Sequence, residues 1–228
     1  MPDVTTTRIP VLTIGHSNHA PEAFLALLKR HGVDVVMDVR SAPYSRYLPH
    51  FNKEHLAKIL KEVGIGYTFK GKELGGQPTD RAYYDDDGRV AYDKLAATAA
   101  FEKGIVCVLD TVSVHPSTGS EPAPYSIRGR TAASPARRIA LMCSEKEPLD
   151  CHRTLLIGQT LAKHSVAVAH IHADGSLETH EDAMNRLLDA FKLPHNGDLF
   201  RSREAVIEDA VARQAQRVGA RWREPSAL

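Results

Sequence analysis

Two of the chain's three cysteines, Cys143 and Cys151, fall within nine positions, and His152 and Arg153 follow directly. Glu145 lies between the two thiols. Groups of these types packed this closely offer three kinds of chemistry. A cysteine at a helix start beside an arginine holds a thiolate, which is a nucleophile. The arginine presents a planar fork of donors suited to a phosphate or another anion. Two thiols and an imidazole are soft metal ligands, although a C-x7-C-H spacing differs from the C-x2-4-C pairs of common zinc modules.

These residues need elements to hold them. The apolar run Ile139-Ala140-Leu141-Met142 reads as a buried strand, and a helix is expected from about Cys151 to Lys163. A polar turn between strand end and helix start is where open α/β sheets place ligands, and exposed backbone N–H groups there favour an anion. The same strand-then-turn pattern occurs twice more. Ile9-Pro10-Val11-Leu12-Thr13-Ile14 runs into Gly15-His16-Ser17, and Val33-Asp34-Val35-Val36-Met37-Asp38-Val39 runs into Arg40 and Ser41. Pro21 suits the first turn of a helix with Phe24, Leu25, Leu27 and Leu28 on its buried stripe. Asn52 is placed to cap a helix carrying Leu56, Ile59, Leu60 and Val63. Ile65-Gly66-Tyr67-Thr68-Phe69 and residues 166–171 are further strands, and Ala173-Asp174-Gly175-Ser176 signals a hairpin. Residues 91–114 are ambiguous, because Ile105-Val106-Cys107-Val108-Leu109 resembles a strand; the alanine-rich lead-in favours a helix. Residues 181–191 and 202–218 read as helices.

Repeated βα units predict an α/β fold: a three-layer, mostly parallel, Rossmann-like sheet. The α/β domain is expected over residues 1–193, with a surface insertion at about 115–135, where four prolines accompany many Ser, Gly and Thr residues. Residues 194–228 form a C-terminal helical extension, set off by Pro194-His195-Asn196-Gly197. In a parallel sheet the three polar turns converge on one edge and line one cleft.

Composition narrows the function. The 228 residues carry 29 basic and 28 acidic side chains, a formal net charge of +1, which gives no global pull toward nucleic acid or membrane. No apolar run approaches the roughly 20 residues of a membrane span, and the first residues lack a signal-peptide layout. Three cysteines do not make a disulfide framework, so a reducing cytoplasm is expected, with Cys143 and Cys151 reduced and Cys107 buried and inert. Of twelve histidines, His31, His55, His164 and His180 are read as surface residues.

The motifs Thr13-Ile14-Gly15-His16-Ser17, Asp38-Val39-Arg40 with Pro43 and Ser45, Leu74-Gly75-Gly76, Leu141-Met142-Cys143-Ser144-Glu145, and Pro148 followed by Cys151-His152-Arg153 resemble, in order and spacing, the domain-of-unknown-function 488 family of bacteria and archaea. The resemblance spans residues 9–178 and implies no particular reaction. The insertion and the C-terminal helix depart from the family pattern without touching the motif residues.

The leading expectation is an enzyme acting on a phosphate-bearing substrate, a nucleotide or nucleic acid. His16, Cys151, Asp38 and Glu145 supply nucleophile, base and acid. Ser17, Arg40, Tyr44, Lys70, Gly75, Gly76, His152 and Arg153 bind substrate, with Arg40 and Arg153 as an anion clamp. Arg153 could instead form an ion pair with Asp38 or Glu145. The stretch Lys70-Gly71-Lys72-Glu73-Leu74-Gly75-Gly76 could wrap a phosphate, without P-loop spacing. The first alternative is a metal-binding protein using Cys143, Cys151 and His152, with His16. The second is a non-catalytic nucleotide or nucleic-acid binding module, in which Tyr44, Arg46 and Tyr47 stack bases and meet phosphates. Asp85-Asp86-Asp87 reads as a solvated turn. No cofactor and no oligomeric state is assigned.

Overall fold

The computed structural model describes residues 10–112 and 137–222. The insertion read at 115–135 and the strand start at Ile9 lie outside the described residues. In chain order the elements are β1 (Val11–Gly15), α1 (Pro21–Arg30), β2 (Val35–Asp38), α2 (Lys53–Glu62), β3 (Gly66–Phe69), α3 (Gly71–Leu74), α4 (Tyr92–Ala96), α5 (Ala99–Val112), β4 (Ile139–Cys143), α6 (Gln159–Lys163), β5 (Val168–Ile171), β6 (Leu177–Thr179), α7 (His180–Phe191) and α8 (Arg203–Val218).

The strands form one six-stranded sheet in the order β3-β2-β4-β1-β5-β6. All neighbours are parallel except β5 and β6, the hairpin pair. β4 shows why the sheet is covered on both sides. Its side chains alternate, so Ile139, Leu141 and Cys143 join a core with Leu74, Leu95, Ile105, Val108 and Leu156. Ala140 and Met142 join the opposite core with Phe24, Leu28, Leu56 and Leu60. Helices α1 and α2 thus cover one face, and α3 to α6 cover the other. A third core, including Leu155, Ala183, Leu187, Val206 and Ala210, seats α7 and α8 on the segment after β4.

The ambiguous segment is helical. Phe101, Gly104, Ile105 and Val108 fall at i, i+3, i+4 and i+7 of α5 and are buried. Cys107 lies off that stripe and is only half-buried, which corrects its expected burial. His180 is a second correction. It starts α7 but is buried, with Nδ1 at 3.2 Å from Nε2 of His170. Asn52 precedes α2, yet its side chain caps nothing there; its Oδ1 accepts from the Ser45 N–H at 2.7 Å instead.

From β1 the chain crosses to β2 on one side, and from β4 it crosses to β5 on the other. The adjacent strands β1 and β4 therefore flank the point where connections diverge, at which open α/β sheets bind ligands. No helix among the described residues is long and apolar enough to cross a membrane.

Candidate functional site

The turns after β1 and β4 are laced together. The backbone N–H groups of His16 and Ser17 donate to the carbonyls of Cys143 (2.8 Å) and Ser144 (2.9 Å). Only glycine fits at position 15, because a Cβ there would lie 1.9 Å from the Glu145 carbonyl oxygen. Arg153 fixes the same loop from below. It is fully buried, and its guanidinium donates to the carbonyls of Glu145 (2.7 Å) and Lys146 (3.3 Å). Neither ion pair considered for Arg153 forms. Its Nη1 and Nη2 serve the backbone, its buried Nε has no partner among the described residues, and Asp38 pairs with Arg40.

Held on this loop, Glu145 reaches both thiols. Cys143 ends β4, and Cys151 follows the single helical turn Pro148–Asp150. Both cysteines are buried, and both sulfurs lie within hydrogen-bond distance of Oε2 of Glu145, at 2.8 and 3.1 Å. His152 completes the group. Its Nε2–H donates to the Val39 carbonyl at 3.1 Å, which leaves Nδ1 facing the sulfurs of Cys143 (3.7 Å) and Cys151 (3.8 Å). The helix then opens as a π-helical segment, Arg153–Gly158, before continuing as α6. Such segments are rare and gather at functional sites.

Burial pushes the Cys143 thiol well above its ordinary pKa. Burial opposes ionisation of Cys151 too, but a hydrogen bond from Cys143 and the nearby Arg153 and His152 outweigh it and lower its pKa. Burial raises the Glu145 pKa, and the charge on Cys151 adds to the effect. For His152, burial works against protonation, and the Cys151 thiolate overcomes it, so the pKa rises. A proton on Nδ1 therefore bridges to the thiolate, and its loss leaves a lone pair aimed between two sulfurs. Among the described residues, Cys143, Cys151 and His152 form the one group able to hold a metal ion, with ligand atoms all within 4.8 Å.

A second buried network stands beside the first. Asp38 accepts from Arg40 N (3.1 Å), Arg40 Nε (2.9 Å), Arg40 Nη2 (2.7 Å) and the Tyr67 hydroxyl (2.8 Å). Nη2 of Arg40 also donates to the Phe51 carbonyl at 2.8 Å. His16 donates from Nδ1 to the Ser17 carbonyl (2.9 Å), so its Nε2 is the acceptor for Nη1 of Arg40 at 3.1 Å. Burial and the Arg40 charge hold the His16 pKa down at about 4. It is neutral at pH 7.

The two networks meet at a pocket of about 120 Å3, whose walls include Arg40, Ser41, Gly76, Cys143, Glu145 and His152. Gly76 is required there, since a Cβ would lie 2.5 Å from Cγ of His152. Gly75 packs against Ser41. His16, Asp38, Cys151 and Arg153 stand behind the walls rather than on them. Ser17, Tyr44 and Lys70 lie off the pocket: Ser17 donates to Asn18, the exposed Tyr44 donates to Glu54, and Lys70 pairs with Glu73 at 3.8 Å. Sequence reading missed Tyr67, Tyr92 and Asp150. Only Tyr67 carried a signal, as a polar group on a strand beside Asp38.

No curated protein and no solved structure matches the chain. Residues 20–118 match the domain of unknown function DUF488, a span that contains Asp38, Arg40, Gly75 and Gly76 and ends before Cys143. The chain accordingly carries a DUF488 domain over residues 20–118.

Proposed function

We propose that this protein is a metal-dependent enzyme whose centre is a divalent ion, zinc fitting best, held by Cys143, Cys151 and Nδ1 of His152. The observation that carries the reading is the spacing of the three donors. For zinc–sulfur bonds of about 2.3 Å and a zinc–nitrogen bond of about 2.0 Å at tetrahedral angles, the sulfur–nitrogen edge is about 3.5 Å. The sulfur–nitrogen distances here are 3.7 and 3.8 Å. The His152–Val39 hydrogen bond supports it further, because ligating histidines usually donate their other N–H to a carbonyl or carboxylate. Three protein ligands beside a pocket is the pattern of catalytic rather than closed structural sites.

When bound, such an ion lowers the pKa of a coordinated water and polarises a substrate oxygen. This chain's own groups do the rest. Glu145, within hydrogen-bond distance of both sulfurs, would take the one proton that Cys143 loses on metal binding, Cys151 being already a thiolate. Arg153 fixes the Glu145 backbone, and burial keeps bulk water from the sulfurs.

The nucleophile reading, in which Cys151 attacks a phosphate-bearing substrate clamped by Arg40 and Arg153, has less support. Its lowered pKa favours it, but Cys151 is not on the pocket wall and Arg153 is committed to carbonyls. At about 120 Å3 the pocket is also smaller than the roughly 300 Å3 or more usual for cofactor-sized ligands.

Metal analysis of the full chain, purified without chelator, tests the proposal. It should carry about one zinc ion per chain. Cys143→Ser, Cys151→Ser and His152→Ala should each lose it, while Cys107→Ser keeps it. Retention of zinc by all three ligand variants, or no uptake by the reduced wild type, would overturn the assignment.

A further inference from the structure

We infer that Arg40, held by Asp38, Tyr67 and His16, is the anchor for a small oxyanion bound beside the Cys143–Cys151–His152 centre. The inference rests on the pocket reading above and names the ligand class. A guanidinium has five N–H donors. In Arg40 four are spent: Nε and one Nη2 hydrogen on Asp38, the other Nη2 hydrogen on the Phe51 carbonyl, and one Nη1 hydrogen on His16. The fifth, on Nη1, has no partner among the described residues, and Arg40 forms part of the pocket wall.

The arrangement differs from a structural ion pair in how completely the rest is fixed. Asp38 takes four donors and is fully buried, so it cannot swing. The His16 ring is stacked on Phe51 at 4.3 Å and its tautomer is set by the Ser17 carbonyl. One N–H is thereby presented in a fixed direction, which is what a positioned substrate group needs. Ser41, next in sequence, adds a second donor. Its Oγ accepts from the Gln77 N–H at 2.9 Å, which leaves its hydroxyl hydrogen without a partner among the described residues. Asp150 and Glu145 also reach the pocket, but Asp150 is engaged by Gln214 at 3.1 Å and Glu145 by the two thiols.

Size sets the ligand. A space of about 120 Å3 equals about four waters at roughly 30 Å3 each. It takes a phosphate or carboxylate group. The shared chemistry is an oxyanion that accepts from Arg40 and Ser41 while its other oxygens face the centre.

The test is calorimetric titration of the zinc-loaded full chain with inorganic phosphate and, separately, acetate. Phosphate should bind, and Arg40→Gln should weaken it at least tenfold at unchanged zinc content. Ser41→Ala leaves the buried network intact, so it keeps the test decisive should Arg40→Gln fail to fold. It should weaken binding several-fold. Tyr67→Phe should weaken binding a few-fold while zinc content holds, because the Asp38–Arg40 pair loses one restraint. Acetate binding without phosphate binding would keep the proposal and assign a carboxylate. Wild-type protein that holds zinc but binds neither anion, or a folded Arg40→Gln or Ser41→Ala that binds as wild type, would overturn this inference and leave the metal centre standing. Wild-type protein that takes up no zinc yet binds the anion would overturn the metal centre instead and leave this inference standing.

Discussion

Replacing Gly76 by alanine perturbs the centre through a single methyl group. The new Cβ would lie 2.5 Å from Cγ, 2.7 Å from Cβ and 2.9 Å from Nδ1 of His152. Ordinary carbon contacts begin at about 3.5 Å, so the ring must retreat by about 1 Å. It has little freedom to do so, since its Nε2 is bonded to the Val39 carbonyl and the whole side chain is buried. Displacement by this amount breaks the Val39 bond or moves Nδ1 out of reach of a shared ion. Loss of a comparable supporting contact costs about 10- to 100-fold in metal affinity, or about 1.4 to 2.8 kcal/mol. Zinc affinity is read by competition with a chromophoric chelator. Thermal melting of the metal-free variant should show a separate overpacking cost of about 1–3 kcal/mol. Wild-type zinc affinity in Gly76→Ala would refute the reasoning, whatever the melting temperature does.

Three further outcomes follow from the buried groups. His16 and His180 are both held at about 4 by burial, below the ordinary 6.5, so the unfolded chain binds more protons. Their contribution is complete above pH 6.5 and is lost as pH falls toward about 4; at pH 5 each costs about 2 kcal/mol. Urea melts of His180→Asn across this window should show a shallower pH dependence than wild type, and an identical slope would contradict the assignment. Cys107, half-exposed on α5, should be the first thiol labelled in the native zinc-loaded protein, with Cys143 and Cys151 reacting only on unfolding or chelation. Faster labelling of Cys151 would count against the burial described here. Arg153→Met should destabilise the fold by about 2–3 kcal/mol in denaturant melts, since it strips the Glu145 and Lys146 carbonyls of their donors. It should lower zinc affinity too, and a neutral result would show that the loop holds its position unaided.

Much of this geometry was legible in the residues. Continuous apolar runs such as Ile139 to Cys143 identify buried strands, and parallel strands bring their polar ends to one edge, so His16, Asp38, Arg40 and Cys143 are neighbours by topology alone. What sequence could not give is direction. Arg153 looks like an anion donor at a helix start, yet it turns inward and donates to the carbonyls of Glu145 and Lys146. Arg40 and Arg153 are near equivalents in sequence, and only the structure shows that Arg40 forms part of the pocket wall while Arg153 stands behind it. His180 looks like a surface residue at a helix start, and nothing in the sequence reveals that His170, ten positions earlier, turns to meet it across a hairpin. The seven-residue gap between the cysteines argues against a common zinc module. That spacing matters less when one ligand ends a strand and the other follows a separate turn.

The most direct measurement of the central claim is zinc K-edge X-ray absorption on the purified full chain. A centre formed by Cys143, Cys151 and His152 predicts two sulfur scatterers at about 2.3 Å and one nitrogen at about 2.0 Å, with a light atom completing the shell. His152→Ala should leave the sulfur shell and remove the imidazole signature. A first shell of nitrogen and oxygen alone, with no sulfur, would contradict the account.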